Sequence, residues 1–252
     1  MNNYNNIPPL PQPSATQAAP QQSEWSLTTY MTQVMRKVYV KMTLGLLLTA
    51  LTSWLVISNE AIMSLFINVN GYEAGPTTLL WVLCFAELAL VFILSMAINK
   101  LSSPMAAFLF YVYALINGIT LTPIFLIYTM SSIALTFFVT AGVFLAMSIY
   151  GYTTKSDLTK FGTYMVMALI GLIVCTIINI FWANSVMDWI ISFAGVAIFI
   201  GLTAWDTQKI KQMAQETDEA NASKLATLGA LSLYLDFINL FLYLLRLLGS
   251  RE

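Results

Sequence analysis

The chain has 252 residues, 58% of them apolar and 9% charged, with a formal net charge of −1. Soluble domains carry about 25% charged residues, so the polar surface needed to face water is missing. The near-neutral balance also excludes the basic face of a nucleic-acid binder. There is no histidine, which removes His-ligated metals, His-ligated haem and His-based acid–base catalysis. The two cysteines, Cys84 and Cys175, both lie in apolar runs, so no disulfide framework is expected.

Residues 1–24 are rich in Pro, Gln, Asn and Ala and cannot bury enough apolar surface to order themselves. They lack the basic start and apolar stretch of a signal peptide. A disordered tail is predicted there, followed by one membrane domain over 25–252. A spanning helix takes about 20 apolar residues. Seven runs of that kind follow, at roughly 38–58, 77–98, 104–128, 131–152, 162–183, 187–212 and 223–248. The third and fourth are separated only by a tight turn around Tyr128–Ser132. Pro123 in the third run removes a backbone donor, and Asn117, Gly118, Thr120 and Thr122 cluster before it, so a bend is expected. Trp25, Trp54, Trp81, Trp182 and Trp189 sit near span ends, as interface anchors do. The fold class is therefore an all-α, seven-helix transmembrane bundle without a second domain.

Lys and Arg in the short loops set the orientation. Arg36, Lys37 and Lys41 precede the first span, Lys100 lies in the second connection, and Lys155 and Lys160 lie in the fourth. Lys209, Lys211 and Lys224 flank the sixth, whereas the first, third and fifth connections carry no base. This predicts a cytoplasmic N-terminus and a C-terminus on the far side, which agrees with an odd number of spans.

An ionised carboxylate at a helix centre costs about 2.5–3.5 kcal/mol on insertion scales. Glu87 in the second span, Asp206 in the sixth and Asp236 in the seventh are such residues, and no base lies at comparable depth. They cannot all stay charged unless a proton or a cation neutralises some of them. Asp206 and Asp236 are equidistant from Asn221, inside the polar stretch 216–221 that reads as a turn. Antiparallel helices folded there would bring both aspartates to one depth, roughly 15–20 Å from the tip. On the seventh span Gly229, Ser232, Asp236, Asn239, Tyr243 and Arg246 share one arc, and on the sixth Asp188, Ser192, Gly195, Phe199, Thr203 and Asp206 do the same. The alternatives are an interface ion pair of Asp206 with Lys209, a protonated Asp236 bonded to backbone, and a structural Glu87.

The segments Thr203-Ala204-Trp205-Asp206-Thr207-Gln208-Lys209-Ile210 and Leu233-Tyr234-Leu235-Asp236-Phe237-Ile238-Asn239-Leu240-Phe241 resemble the last two helices of the Bax inhibitor-1 family. Leu244-Leu245-Arg246 and the third-span stretch Asn117-Gly118-Ile119-Thr120-Leu121-Thr122-Pro123 are similar to it as well, and the likeness covers about residues 30–250. The resemblance implies a bundle with the last helix at its centre and a pH-sensitive calcium leak. It carries the family's aspartate pair, the pH sensor and cation site, onto Asp206 and Asp236, and its second-helix acid onto Glu87. The family's latching arginine has only Lys100 as a nearby counterpart, and Lys lacks the bidentate fork of Arg.

Calcium prefers oxygen ligands, so protons and calcium are expected to compete for Asp206 and Asp236. Glu87, Asn239, Arg246 and Lys100 are the candidate pathway or supporting residues. No tightly bound cofactor and no enzymatic activity are expected, because no nucleophile–base constellation is present. The partners foreseen are the lipid bilayer, calcium and protons, and no nucleic acid. The alternative function is a membrane-embedded regulator of stress or cell survival that binds another membrane protein, such as a protease, with the tail as its contact. Short loops suit a bacterial inner membrane, or the endoplasmic reticulum if the source is eukaryotic.

Overall fold

A computed structural model describes residues 19–70 and 73–250. Helix α1 runs Ala19–Ile57 and α2 Glu60–Phe66, and a hairpin of β1 (Ile67–Asn70) and β2 (Glu73–Pro76) follows. Then come α3 (Thr78–Met96), α4 (Ser103–Thr120), α5 (Ile124–Ile127), α6 (Met130–Thr153), α7 (Thr159–Trp182), α8 (Ser185–Glu216) and α9 (Glu219–Leu248). Among the described residues seven helical segments are long and apolar enough to span a membrane, with α4 and α5 forming one of them. The chain is an all-α, multi-pass membrane protein, as its composition requires. Of the predicted tail, residues 1–18 lie outside the described residues, and 19–24 are already helical backbone of α1.

The starts of the spans follow from their capping residues. Thr77, Ser102, Thr129 and Asn184 each accept a backbone N–H from the first turn of α3, α4, α6 and α8. The Tyr128–Thr129 turn is as tight as expected. Two differences from the sequence reading have physical causes. The helix of the first span begins well before residue 38, at Ala19, and Val34, Met35, Val38 and Met42 form one buried stripe among polar neighbours in its first half. The long first connection carries α2 and the β-hairpin, short elements too weakly patterned to stand out.

The last helix is the centre of the bundle. Two thirds of its apolar window (67%) is buried inside the protein, against 6% for α7 and 44% for α8. It packs against α1, α4, α6 and α8, while α7 touches mainly α8 and turns its apolar side chains outward. Exposed Trp54, Trp81, Trp182 and Trp189 all sit at the end of the bundle opposite the Lys-bearing connections. The side chain of Trp25 is outside the described set.

Pro123 acts as expected, and more strongly. It separates α4 from α5 through the residues Leu121–Pro123: the Ile119 carbonyl, which Pro123 cannot serve, takes the Thr122 N–H at 3.1 Å, and the Gly118 carbonyl so released accepts from the hydroxyls of Ser53 (2.6 Å) and Thr122 (3.2 Å).

Candidate functional site

Helices α8 and α9 are joined by only two residues, Thr217 and Asp218, so they run antiparallel and in contact. Gly195 faces Tyr243, where a Cβ would come within 2.6 Å of the ring, and Gly229 faces Ile210, where it would come within 3.1 Å. That register sets Asp206 opposite Ser232–Leu233 and Asp236 opposite Leu202–Thr203. The two aspartates are offset by about one helical turn, roughly 5 Å along the axis. The expected symmetry about Asn221 is therefore corrected. Asn221 lies inside α9, because Ala222 and Leu225 bury against Val34 and Ala214 and draw the polar residues before them into the helix.

Asp236 is only 5% exposed, and its Oδ2 has no hydrogen-bond partner. Asp206 is half-buried and lies within coulombic reach of it. The described residues form one ion pair, Arg246 with Asp188 at 3.6 Å, and both of its side chains are more than 40% exposed. The alternative of a close Asp206–Lys209 ion pair is not met among the described residues: the Lys209 ammonium sits over the Trp205 ring at 4.7 Å, though still within coulombic reach of Asp206. A buried, unpaired carboxylate oxygen calls for neutralisation by a proton or a cation.

The supporting residues separate. Arg246 stands at the far end of α9 with Asp188 and away from the aspartates, because the register of the hairpin carries both of them to that end. Asn239 donates to the carbonyl of Leu235 on its own helix at 2.8 Å. Lys100 ends a 3-10 turn at the tip of α3, where it is exposed to solvent. None of the three joins the pair. Among the described residues no group of three or more Cys, Asp or Glu side chains converges, so a cation here would meet at most two carboxylates.

Glu87 is tied into the bundle. It accepts a hydrogen bond from the Thr120 hydroxyl at 2.8 Å, and the Asn117 side chain lies close enough to act on the same carboxylate. The Tyr234 hydroxyl donates to Asn117 Oδ1 at 2.8 Å and lies 2.6 Å from Thr49 Oγ1. Sequence reading treated Asn117 and Thr120 as part of a bend and passed over Tyr234 and Thr49. The available signal was a phenol set among Leu residues two positions before Asp236 on the seventh span.

Two cavities flank the level of the acids. One of about 230 Å³ lies between α3, α8 and α9, and Ser95, Lys209, Gly229 and Ser232 are among its lining. It approaches the aspartates from the Thr217–Asp218 side, since Lys209 is three residues beyond Asp206 and Ser232 four before Asp236. A second, of about 100 Å³, is bounded by Thr49, Ser53, Phe137, Phe237 and Phe241 toward the other end. Along α9 the turn Leu233–Asp236 stands between them.

Lys41 is a further functional-looking residue that the loop count misplaced. It lies within the first span and donates to Thr227 Oγ1 at 2.6 Å and to the Ser223 carbonyl at 3.0 Å, which clamps α1 to α9.

Comparison with known proteins places this arrangement among relatives. The family described as "Inhibitor of apoptosis-promoting Bax1" matches residues 31–252. The inner membrane protein YbhL of Escherichia coli strain K12 is 47% identical over 229 residues, 90% of this chain and 93% of its own length. An uncharacterized protein of Borreliella burgdorferi is 43% identical across 86% of this chain and 91% of its own. The uncharacterized protein RP147 of Rickettsia prowazekii is 44% identical across 86% and 89%.

Proposed function

The chain belongs to the Bax inhibitor-1 family, and from that premise we propose that it is a pH-sensitive calcium leak of a bacterial inner membrane, gated by Asp206 and Asp236. The observation that carries the reading is the unpartnered Oδ2 of buried Asp236, within coulombic reach of a second carboxylate and in no ion pair among the described residues. Two ionised carboxylates within coulombic reach at an effective dielectric of about 20 repel by an energy on the order of a few kcal/mol. One proton or one calcium ion removes that repulsion, so the two compete for the same pair.

Close packing of α8 on α9 at Gly195 and Gly229 turns the competition into movement. Helices in contact on both sides of the aspartates cannot absorb the repulsion without shifting against each other. A shift at the Leu233–Asp236 turn opens or closes passage between the two flanking cavities, past Glu87. The protein works without catalysis, and calcium is cargo and not a resident cofactor. An N-terminus on the cytoplasmic side puts the Lys-bearing connections and the larger cavity on that face. The inner-membrane placement is supported by the printed name of the Escherichia coli relative.

The test is calcium influx into proteoliposomes from pH 5 to 8, with wild type beside Asp206→Asn and Asp236→Asn. A pH-dependent flux that is flattened in both variants supports the reading. Equal flux in all three removes it.

A further inference from the structure

The hydrogen bonds around Glu87 have a single sense. A carboxylate accepts only, so the Asn117 amide must turn its NH2 toward Glu87 and its oxygen toward α9. That oxygen receives the proton of Tyr234 at 2.8 Å. The phenol oxygen also lies 2.6 Å from Thr49 Oγ1, a hydroxyl that donates to the carbonyls of Ala114 (2.8 Å) and Gly45 (3.0 Å) as well. The line Thr49, Tyr234, Asn117, Glu87 thus crosses α1, α9, α4 and α3, and Thr120 joins its last two members by donating to Glu87 at 2.8 Å and to the Asn117 carbonyl at 3.1 Å. Tyr234 is fully buried, with its ring edge-on to Phe110 at 5.8 Å and to Tyr113 at 5.6 Å, so the ring is held with its hydroxyl between Asn117 and Thr49.

Tyr234 is two residues from Asp236, and residues so spaced leave a helix about 200° apart. The central helix therefore shows its phenol to α1 and α4 on one side and its aspartate to α8 on the other.

We propose that Tyr234 is a positioning residue for Glu87: its hydroxyl, held by Thr49, fixes the Asn117 amide that with Thr120 aims the carboxylate, and so couples the acid of α3 to the helix that carries Asp236. The transport consequence rests on the leak reading above, and the positioning itself does not. The ionisable groups facing the line are Cys84 and Glu87 on α3, Tyr113 on α4 and Tyr234 on α9. From α1 it is met by the hydroxyl of Thr49.

The experiment uses the full chain in lipid nanodiscs and infrared difference spectroscopy, with the Glu87 band identified as the one lost in Glu87→Gln. Tyr234→Phe removes one oxygen and keeps the ring. The expected result is a shifted Glu87 band in Tyr234→Phe and in Thr49→Val, with Thr49→Ser at the wild-type position. A wild-type band in folded Tyr234→Phe overturns the proposal. Should Tyr234→Phe fail to fold, the Thr49 pair decides alone, and equal bands in Thr49→Val and Thr49→Ser overturn it. In liposomes, Tyr234→Phe is expected to reduce calcium flux about tenfold in the wild-type background and to have no further effect in Glu87→Gln. Additive losses contradict coupling through Glu87. A wild type that passes no calcium defeats the leak reading, and the band shift still judges the positioning.

Discussion

Gly151→Ala tests how the sixth span is held in place. An alanine Cβ at Gly151 would stand 2.1 Å from the carbonyl oxygen of Ala204, two residues before Asp206. The obstacle is helix backbone, which no rotamer change can clear. Relief to an ordinary contact near 3.4 Å requires α6 and α8 to part by about 1.3 Å. Overpacking of this kind costs about 1–3 kcal/mol, and with backbone on both sides the upper part of that range applies. Better helix propensity returns about 1 kcal/mol, which leaves a loss of about 2 kcal/mol. For a chain of this length that corresponds to a fall in Tm of about 4–8 °C. Gly142→Ala, on the same helix, and Gly171→Ala, on α7, meet nothing within 4 Å and serve as internal controls. They are expected to raise Tm by about 2–4 °C through propensity alone. Scanning fluorimetry of the three variants in one detergent makes the comparison. A Gly151→Ala protein as stable as wild type would refute the close approach of α6 to α8, and with it the rigid seat assigned to Asp206.

Three further outcomes follow from other contacts. Lys41→Ala removes charge-assisted bonds to Thr227 and Ser223 and is expected to cost about 1–2 kcal/mol, read as a lower Tm, because the site is half open to solvent. Arg246→Ala breaks an exposed ion pair with Asp188, so it should cost under about 1 kcal/mol and leave the pH profile of flux unchanged. Asp157, in the connection before α7, accepts the backbone N–H of Thr159 at 2.9 Å, and the bonds from Thr159 hold its carboxyl below the usual carboxylate value. A depressed folded value means that this hydrogen bond contributes above the ordinary carboxylate pKa of about 3.9 and is lost as pH falls through the folded one. An NMR titration of Asp157 should give a midpoint below that of Asp157 in the unfolded chain.

The spans were legible because 58% apolar content leaves little choice of solvent, and the two aspartates because charge in such a setting stands out. The sequence pattern misplaced what depends on register. Glu219 and Asn221 are polar yet helical, so a turn centred on them sat several residues too late. Arg246 and Asn239 share the stripe of Asp236 by periodicity, but a stripe runs the length of a helix, and the hairpin register sends Arg246 to Asp188. The Tyr234–Asn117–Glu87 line is invisible in one dimension, since it joins residues up to 147 positions apart through a packing that only the folded bundle defines. Lys41 was counted as a loop charge because its hydroxyl acceptors lie on a distant helix.

The central claim is that Asp206 and Asp236 form one proton- and calcium-responsive pair. Calcium influx into proteoliposomes, titrated over pH 5–8 for wild type, Asp206→Asn, Asp236→Asn and the double variant, addresses it most directly. The account expects a pH-dependent wild-type flux, flattened by either substitution and no further changed by the second. Undiminished pH dependence in the double variant, with the protein folded, would contradict it.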